Sequence, residues 1–140
     1  VFMKMVGEMQ ETIAQAREVD SLRELADQAE AAVNRLGEVA LHMGQSARSE
    51  AFKTAFAGAA PFLEITGDVI MSWMLLWRAR LAAQKLENGA AKKDQAFYKG
   101  QLKSAEFFIH KVLPGTLGKM NALTNDNAAV VEIEEASFGG

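Results

Sequence analysis

No cysteine occurs among the 140 residues, and proline occurs only twice, as Pro61 and Pro114. The first absence excludes disulfides and thiolate metal sites, and is compatible with an intracellular compartment. The second, with long runs free of turn residues, points to an all-α chain. An excess of positive charge is also missing. Fifteen basic residues face 18 acidic ones for a net charge of −3, and the basic residues are scattered. That gives no electrostatic case for nucleic acid, which calls for a basic face. Lys92 and Lys93 stand together, and their place between two helical patterns reads as a solvated loop. No apolar run is long. The longest, Val69 to Trp77, is nine residues, bounded by Asp68 and Arg78. A membrane span needs about 20, so none is expected. The start, VFMKMVGEMQ, lacks the apolar core and cleavage site of a signal peptide. A cytoplasmic protein is the expectation.

Hydrophobic residues make up 49% of the chain, enough for a real core in a single domain. Their spacing is helical from the first residues. Phe2, Met5, Met9, Ile13 and Ala16 lie on one stripe, so the chain is expected to begin inside a helix or at its start. It reads as an excised piece of a longer polypeptide. Residues 1–19 are then a lead-in helix or the end of a preceding one. Residues 20–131 form a bundle, and 132–140 an acidic tail in which Phe138 can dock.

Within the bundle, Asp20 and Glu24 resemble a capping arrangement. A second helix then runs to about Gln45, with Leu22, Leu25, Ala29, Val33, Leu36, Ala40 and Met43 inward. Gly44-Gln45-Ser46 reads as a break. A long helix follows from about Ser49 to Asn88, which Pro61 should kink or split. Gly67 suggests a close helix crossing. Asp94 is a candidate cap for a fourth helix, Gln95 to Lys111, which Leu113-Pro114-Gly115 ends or bends. A short helix with Leu117, Met120 and Leu123 comes next, and Asp126 is a candidate cap for a last turn. Short connections predict antiparallel neighbours, so the fold class is all-α, an up-and-down bundle of about four helices.

The segment Pro61 to Leu81 is apolar almost all round. One stripe is Leu63, Thr66, Ile70, Trp73, Trp77 and Leu81. Another is Phe62, Ile65, Val69, Leu76, Ala79 and Ala83, and Met71 and Met74 fill part of the remainder. Such a helix is surrounded by protein or lipid, and a chain this short can hardly surround one. Phe62, Glu64, Asp68, Met71, Trp73, Met74 and Trp77 are therefore candidate interface residues. Glu64 and Asp68 lie four apart on this helix. Carboxylates there are costly to bury unpaired, so either they form a paired acid site or they meet Lys or Arg from elsewhere. The second reading is preferred. Trp73 and Trp77 read as core or interface, since no phosphate-binding glycine loop accompanies them.

Catalytic and metal motifs are lacking. The Glu-x-x-His pairs of di-iron bundles do not occur, and Glu106 with His110 is a single pair. His42 stands alone on another helix. No Ser-His-Asp set has a local cue. No metal and no catalytic residue is assigned.

Two stretches carry a family likeness: APFLEITGDVIMSWMLLWRARLAAQKLENG and DQAFYKGQLKSAEFFIHKVLPGTLGKMNAL. They resemble the extra C-terminal helical domain of a long bacterial subgroup of acyl-CoA dehydrogenases, typified by the methylmercaptopropionyl-CoA enzymes. The likeness runs through Ala60, Pro61, Phe62, Leu63, Gly67 and Trp73, then Asn88-Gly89. It continues with Asp94, Phe97, Ala105, Phe107, Phe108, Leu113 and Pro114, and closes on Glu134, Glu135 and Phe138. Gln101 and Glu106 depart from it, where Lys and Arg would stand, so an ion pair of the family there does not carry over. The resemblance implies a parent enzyme with FAD that introduces a trans-2,3 double bond into an acyl-CoA. It implies no catalytic or flavin-binding residue in this chain. The implied partners are the upstream dehydrogenase core, a homodimer mate and, through the parent, the acyl-CoA. A stand-alone helical interaction or homodimerisation module is the alternative from another class.

Overall fold

A computed structural model describes residues 1–139. Seven helices follow in order: α1 (Phe2–Arg17), α2 (Arg23–Ala47), α3 (Phe52–Ala57), α4 (Ala59–Glu87), α5 (Lys92–Lys111), α6 (Leu113–Leu123) and α7 (Ala129–Glu132). Short 3-10 turns cover Asp20–Leu22 and Glu135–Phe138. No strand occurs among the described residues, and the fold is an all-α bundle. Its long members are α1, α2, α4 and the nearly continuous α5–α6 arm.

The core is one cluster fed by all four. Met9, Ile13 and Ala16 come from α1, and Leu25, Ala29, Leu36 and Val39 from α2. Ile65, Val69, Leu76 and Ala79 come from α4, and Ala105, Ile109, Leu113 and Met120 from the arm. Each large side chain so buried stabilises the fold by about 1.5–3 kcal/mol relative to exposure. Polar contacts then fix how the helices are placed. Arg17 near the end of α1 forks to Asp27, at 2.9 Å, and to Glu30 on α2. The two carboxylates, Glu30 first, raise the guanidinium's pKa further.

A polar seam joins α2 to the arm. Gln28 Nε2 lies 3.2 Å from His110 Nδ1, Arg35 donates to Asn121 and Thr124 at 3.0 Å, and His42 donates to Asp126 at 2.8 Å. The α2 residues are spaced by seven, two helical turns, so they share one face. Their partners ascend in the same direction, so α2 runs parallel to the arm. That is the relation of second and fourth members in an up-and-down order.

The structure moves several boundaries. Asp20 does not cap α2. It opens the 3-10 turn and pairs with Arg23 at 2.6 Å. Gly44-Gln45-Ser46 does not break α2, which continues to Ala47. The chain turns instead at Ser49, whose hydroxyl donates to the Ser46 carbonyl at 2.8 Å and accepts from the Ala51 N–H at 3.0 Å. The interruption expected near Pro61 falls at Gly58, which ends α3 and opens α4. Pro61 then sits in the first turn of α4, where a missing N–H costs nothing. A Cβ on Gly58 would stand 3.1 Å from Leu123 Cδ2 and Met43 Cε, so side chains of α2 and α6 close tightly over this joint.

Asp94 lies inside the first turn of α5, which starts at Lys92, and makes no capping bond. Lys92 and Lys93 are therefore helical, although exposed. Asp126 does not cap α7; it takes His42, and Asn127 Oδ1 accepts the Ala129 N–H at 3.0 Å. Phe138 does not dock and is 75% exposed. Gly67 makes no close crossing, for a Cβ there would meet nothing within 4 Å.

A candidate docking surface on the central helix

Helix α4 lies between α1 and the α5–α6 arm and packs on α2. Its buried residues are Ile65, Val69, Ser72, Leu76, Ala79 and Ala82. They recur every three or four positions and form a single face. Of the stripe expected from Phe62, Ile65, Val69, Leu76, Ala79 and Ala83, all but the half-buried Phe62 and Ala83 lie on it. The other stripe turns largely outward. Leu63 is 73% exposed, Trp77 43% and Leu81 36%, with Ile70 and Met74 half-buried beside them. By helical geometry these five stand opposite the core face, with Gly67 among them and Met71 alongside, itself 48% exposed. Length and composition alone would let α4 cross a membrane. Its core face, however, is filled by the other helices of the bundle.

Two flanks border the exposed stripe. On the α1 side, the half-buried Trp73 donates its indole N–H to Thr12 Oγ1 at 2.9 Å. Trp73, Met74, Trp77 and Arg80 line a shallow depression there with Glu8 and Glu11 of α1. Arg80 Nε is buried in it without a hydrogen-bond partner among the described residues. On the arm side, Lys119 Nζ donates to Glu64 Oε1 at 2.5 Å, and the Thr116 hydroxyl donates to Asp68 Oδ2 at 2.9 Å. Glu64, then Asp68 more weakly, holds the Lys119 pKa above its ordinary value. The preferred reading of this acid pair holds for Glu64, which meets Lys119 of α6; Asp68 meets a threonine hydroxyl there and neither Lys nor Arg. The two carboxylates use separate partners, and no hydrogen bond joins them among the described residues.

The candidate interface residues thus divide. Met71 and Trp77 are exposed on the apolar stripe, and Met74 is half-buried on it. Glu64 is exposed at its rim. Asp68 and Trp73 are engaged with neighbouring helices. Phe62 is half-buried against the core and borders a groove with Phe2, Met43 and Phe56. Leu63 and Leu81 also belong to the surface, although they were not among the candidate interface residues, because apolar spacing marks a face without saying which one the bundle covers. Lys119 and Thr116 were missed as partners. They lie 55 and 48 residues from Glu64 and Asp68, with no local pattern to announce them.

The rest of the molecule offers a cavity of about 310 Å³ at the bundle end, lined by His42, Met43, Gly58, Pro61, Lys119 and Leu123 among others. His42 and Lys119 in its lining are already paired with carboxylates. No cluster of three metal-ligating side chains occurs among the described residues.

Fold and surface together define a class: an all-α bundle domain whose central helix keeps an apolar face uncovered. Comparison with known proteins gives the family. A family model described as acetyl-CoA dehydrogenase C-terminal like matches residues 5–134, and the chain belongs to that family. It is similar to the broad-specificity linear acyl-CoA dehydrogenase FadE5 of Mycobacterium tuberculosis (strain ATCC 25618 / H37Rv), 34% identical over 84 residues. It is also similar to a butyryl-CoA dehydrogenase of Syntrophomonas wolfei subsp. wolfei (strain DSM 2245B / Goettingen), 32% identical over 81 residues. The matches cover 58% and 57% of this chain, and 13% of each relative's length.

Proposed function

We propose that this chain is the C-terminal helical domain of an FAD-dependent acyl-CoA dehydrogenase of the methylmercaptopropionyl-CoA type. Its role is structural: it holds the assembly together, helps wall the acyl-CoA site, and has no activity alone. The reading places it in a cytoplasmic enzyme of fatty acid metabolism. One observation carries it beyond family membership. The central helix leaves Leu63, Met71, Trp77 and Leu81 exposed on the side opposite its core face. A contiguous apolar surface of this kind marks an interaction site. Phe62, Glu64, Asp68, Met71, Trp73, Met74 and Trp77 are the proposed interface and its rim, facing the dehydrogenase core or the second subunit.

The flavin belongs to the upstream part. No residue of this chain is assigned to it, and none to a step of the reaction. The test is deletion of this domain from the full-length enzyme, reading subunit mass, flavin absorbance and turnover with an acyl-CoA. Loss of dimerisation, flavin or turnover is expected. Persistence of all three would sink the assembly role.

A further inference from the structure

The tip of the bundle brings an apolar cavity and an apolar strap side by side. The cavity of about 310 Å³ draws its wall from five helices: Met43 of α2, Ala55 of α3, Pro61 of α4, Leu123 of α6 and Val130 of α7. In that wall Leu123 and Met43 close over the Gly58 joint.

The strap is the segment from Asn125 to Ile133, which carries α7. Val130, Val131 and Ile133 are apolar, yet no residue of α7 is buried, and Val130 is 66% exposed. Polar contacts hold the strap by its root. Arg35 donates to Thr124 at 3.0 Å, His42 meets Asp126 at 2.8 Å, and Asn127 Oδ1 accepts the Ala129 N–H. A segment tied by exposed polar bonds and little apolar burial opens at low cost while the core stays folded. Closing it over an apolar occupant would take the Val130 side chain out of water, which is favourable.

The chemistry of the lining selects the occupant. The groups that can carry charge are each engaged, His42 with Asp126 and Lys119 with Glu64. A charged ligand would have to break one of these pairs or be buried unpaired, and either is costly. The other polar groups of the lining are uncharged: the Ser46 and Thr54 hydroxyls and the Asn125 amide. They can meet a single hydroxyl or carbonyl of a ligand. Small-molecule sites are mostly apolar clefts of about 300–1,000 Å³ with a few such groups. An apolar cavity of about 150 Å³ admits benzene, so one of twice that volume suits a molecule of about two rings.

We propose that this cavity binds an uncharged, mostly apolar molecule of about two-ring size with one hydroxyl or carbonyl, and that the Asn125–Ile133 strap closes over it. The site lies apart from the exposed stripe of α4 and does not depend on the assembly role.

Naphthol, with two rings and one hydroxyl, is the probe, titrated into the 140-residue chain and followed by methyl NMR. Saturable shifts of the Met43, Leu123 and Val130 methyls are expected. Naphthoate, an anion of similar size, should bind about tenfold more weakly or worse. Ala122→Trp fills the cavity from α6, and Val130→Asp puts a charge on the strap. Each should weaken naphthol binding about tenfold or more. Both positions are exposed, so the helical circular dichroism should stay intact. Trp77→Ser on the α4 stripe and Phe56→Ser at the neighbouring groove should leave binding unchanged. Four results overturn the proposal: no saturable shift of these methyls, naphthoate bound as tightly as naphthol, an affinity indifferent to both Ala122→Trp and Val130→Asp, or loss of binding in Trp77→Ser or Phe56→Ser, which would put the ligand on another surface.

Discussion

The two faces of α4 are both apolar, yet one is core and the other is surface. The buried face is built of Ile65, Val69, Ser72, Leu76, Ala79 and Ala82. The exposed one presents Leu63, Met71, Trp77 and Leu81. The core face thus carries the smaller side chains. Several helices must approach α4 on that side, and small residues allow close approach within a densely packed interior. Large residues are affordable only where nothing in the chain presses against them. Size, more than hydrophobicity, separates the face that completes this domain from the face left for something else.

Substitution is the most direct way to break that comparison. Leu76→Ala on the fully buried face should cost about 2–5 kcal/mol. Leu63→Ser on the exposed face should change stability by less than about 0.5 kcal/mol. Urea unfolding of both variants, at a concentration where the chain is monomeric, checks this. Similar costs for the two would mean that the faces are not distinct. A smaller effect of opposite sign sharpens the contrast. Gly67→Ala should stabilise the monomer by about 0.5–1 kcal/mol, because the helical backbone accepts alanine and nothing lies within reach of its Cβ.

The smallest effect is at the rim. Glu64 raises the Lys119 pKa above the ordinary 10.5. A cation whose pKa is raised by folding contributes stability below its unfolded value. That contribution is lost as pH climbs through the folded one. The Lys119 side-chain resonance followed by NMR should therefore titrate above 10.5, and Glu64→Gln should bring it down. A midpoint at or below 10.5 in the parent chain would remove the clip between α4 and α6.

Much of this architecture was legible in the residues. The α2 stripe of Leu25, Ala29, Val33 and Leu36 is buried as its 3.6-residue period requires. The bend of the fourth long member falls at Leu113 and Pro114, where the chain passes from α5 to α6. Local signals that depend on a single side chain were less reliable. Asp20, Asp94 and Asp126 have the chemistry of caps, but only a particular backbone turn lets a carboxylate reach an N–H. At Asp20 an arginine, and at Asp126 a histidine, took the carboxylate instead. Gly44 did not stop α2, since a helix carries one glycine at modest cost when its neighbours are packed. On the candidate surface, the sequence showed that α4 was over-apolar but not which stripe lay outside. That choice is made by α1 and the α5–α6 arm, which lie far away in the chain.

The seam of Gln28, Arg35 and His42 bears on the time course of folding. Its contacts join residues 82 to 89 positions apart, so each requires closure of a long loop before it gains anything. The α1–α2 and α4–α5 hairpins need only short closures. They can form independently and early, leaving the parallel alignment of α2 with the arm as the late, slow event that turns two hairpins into one domain.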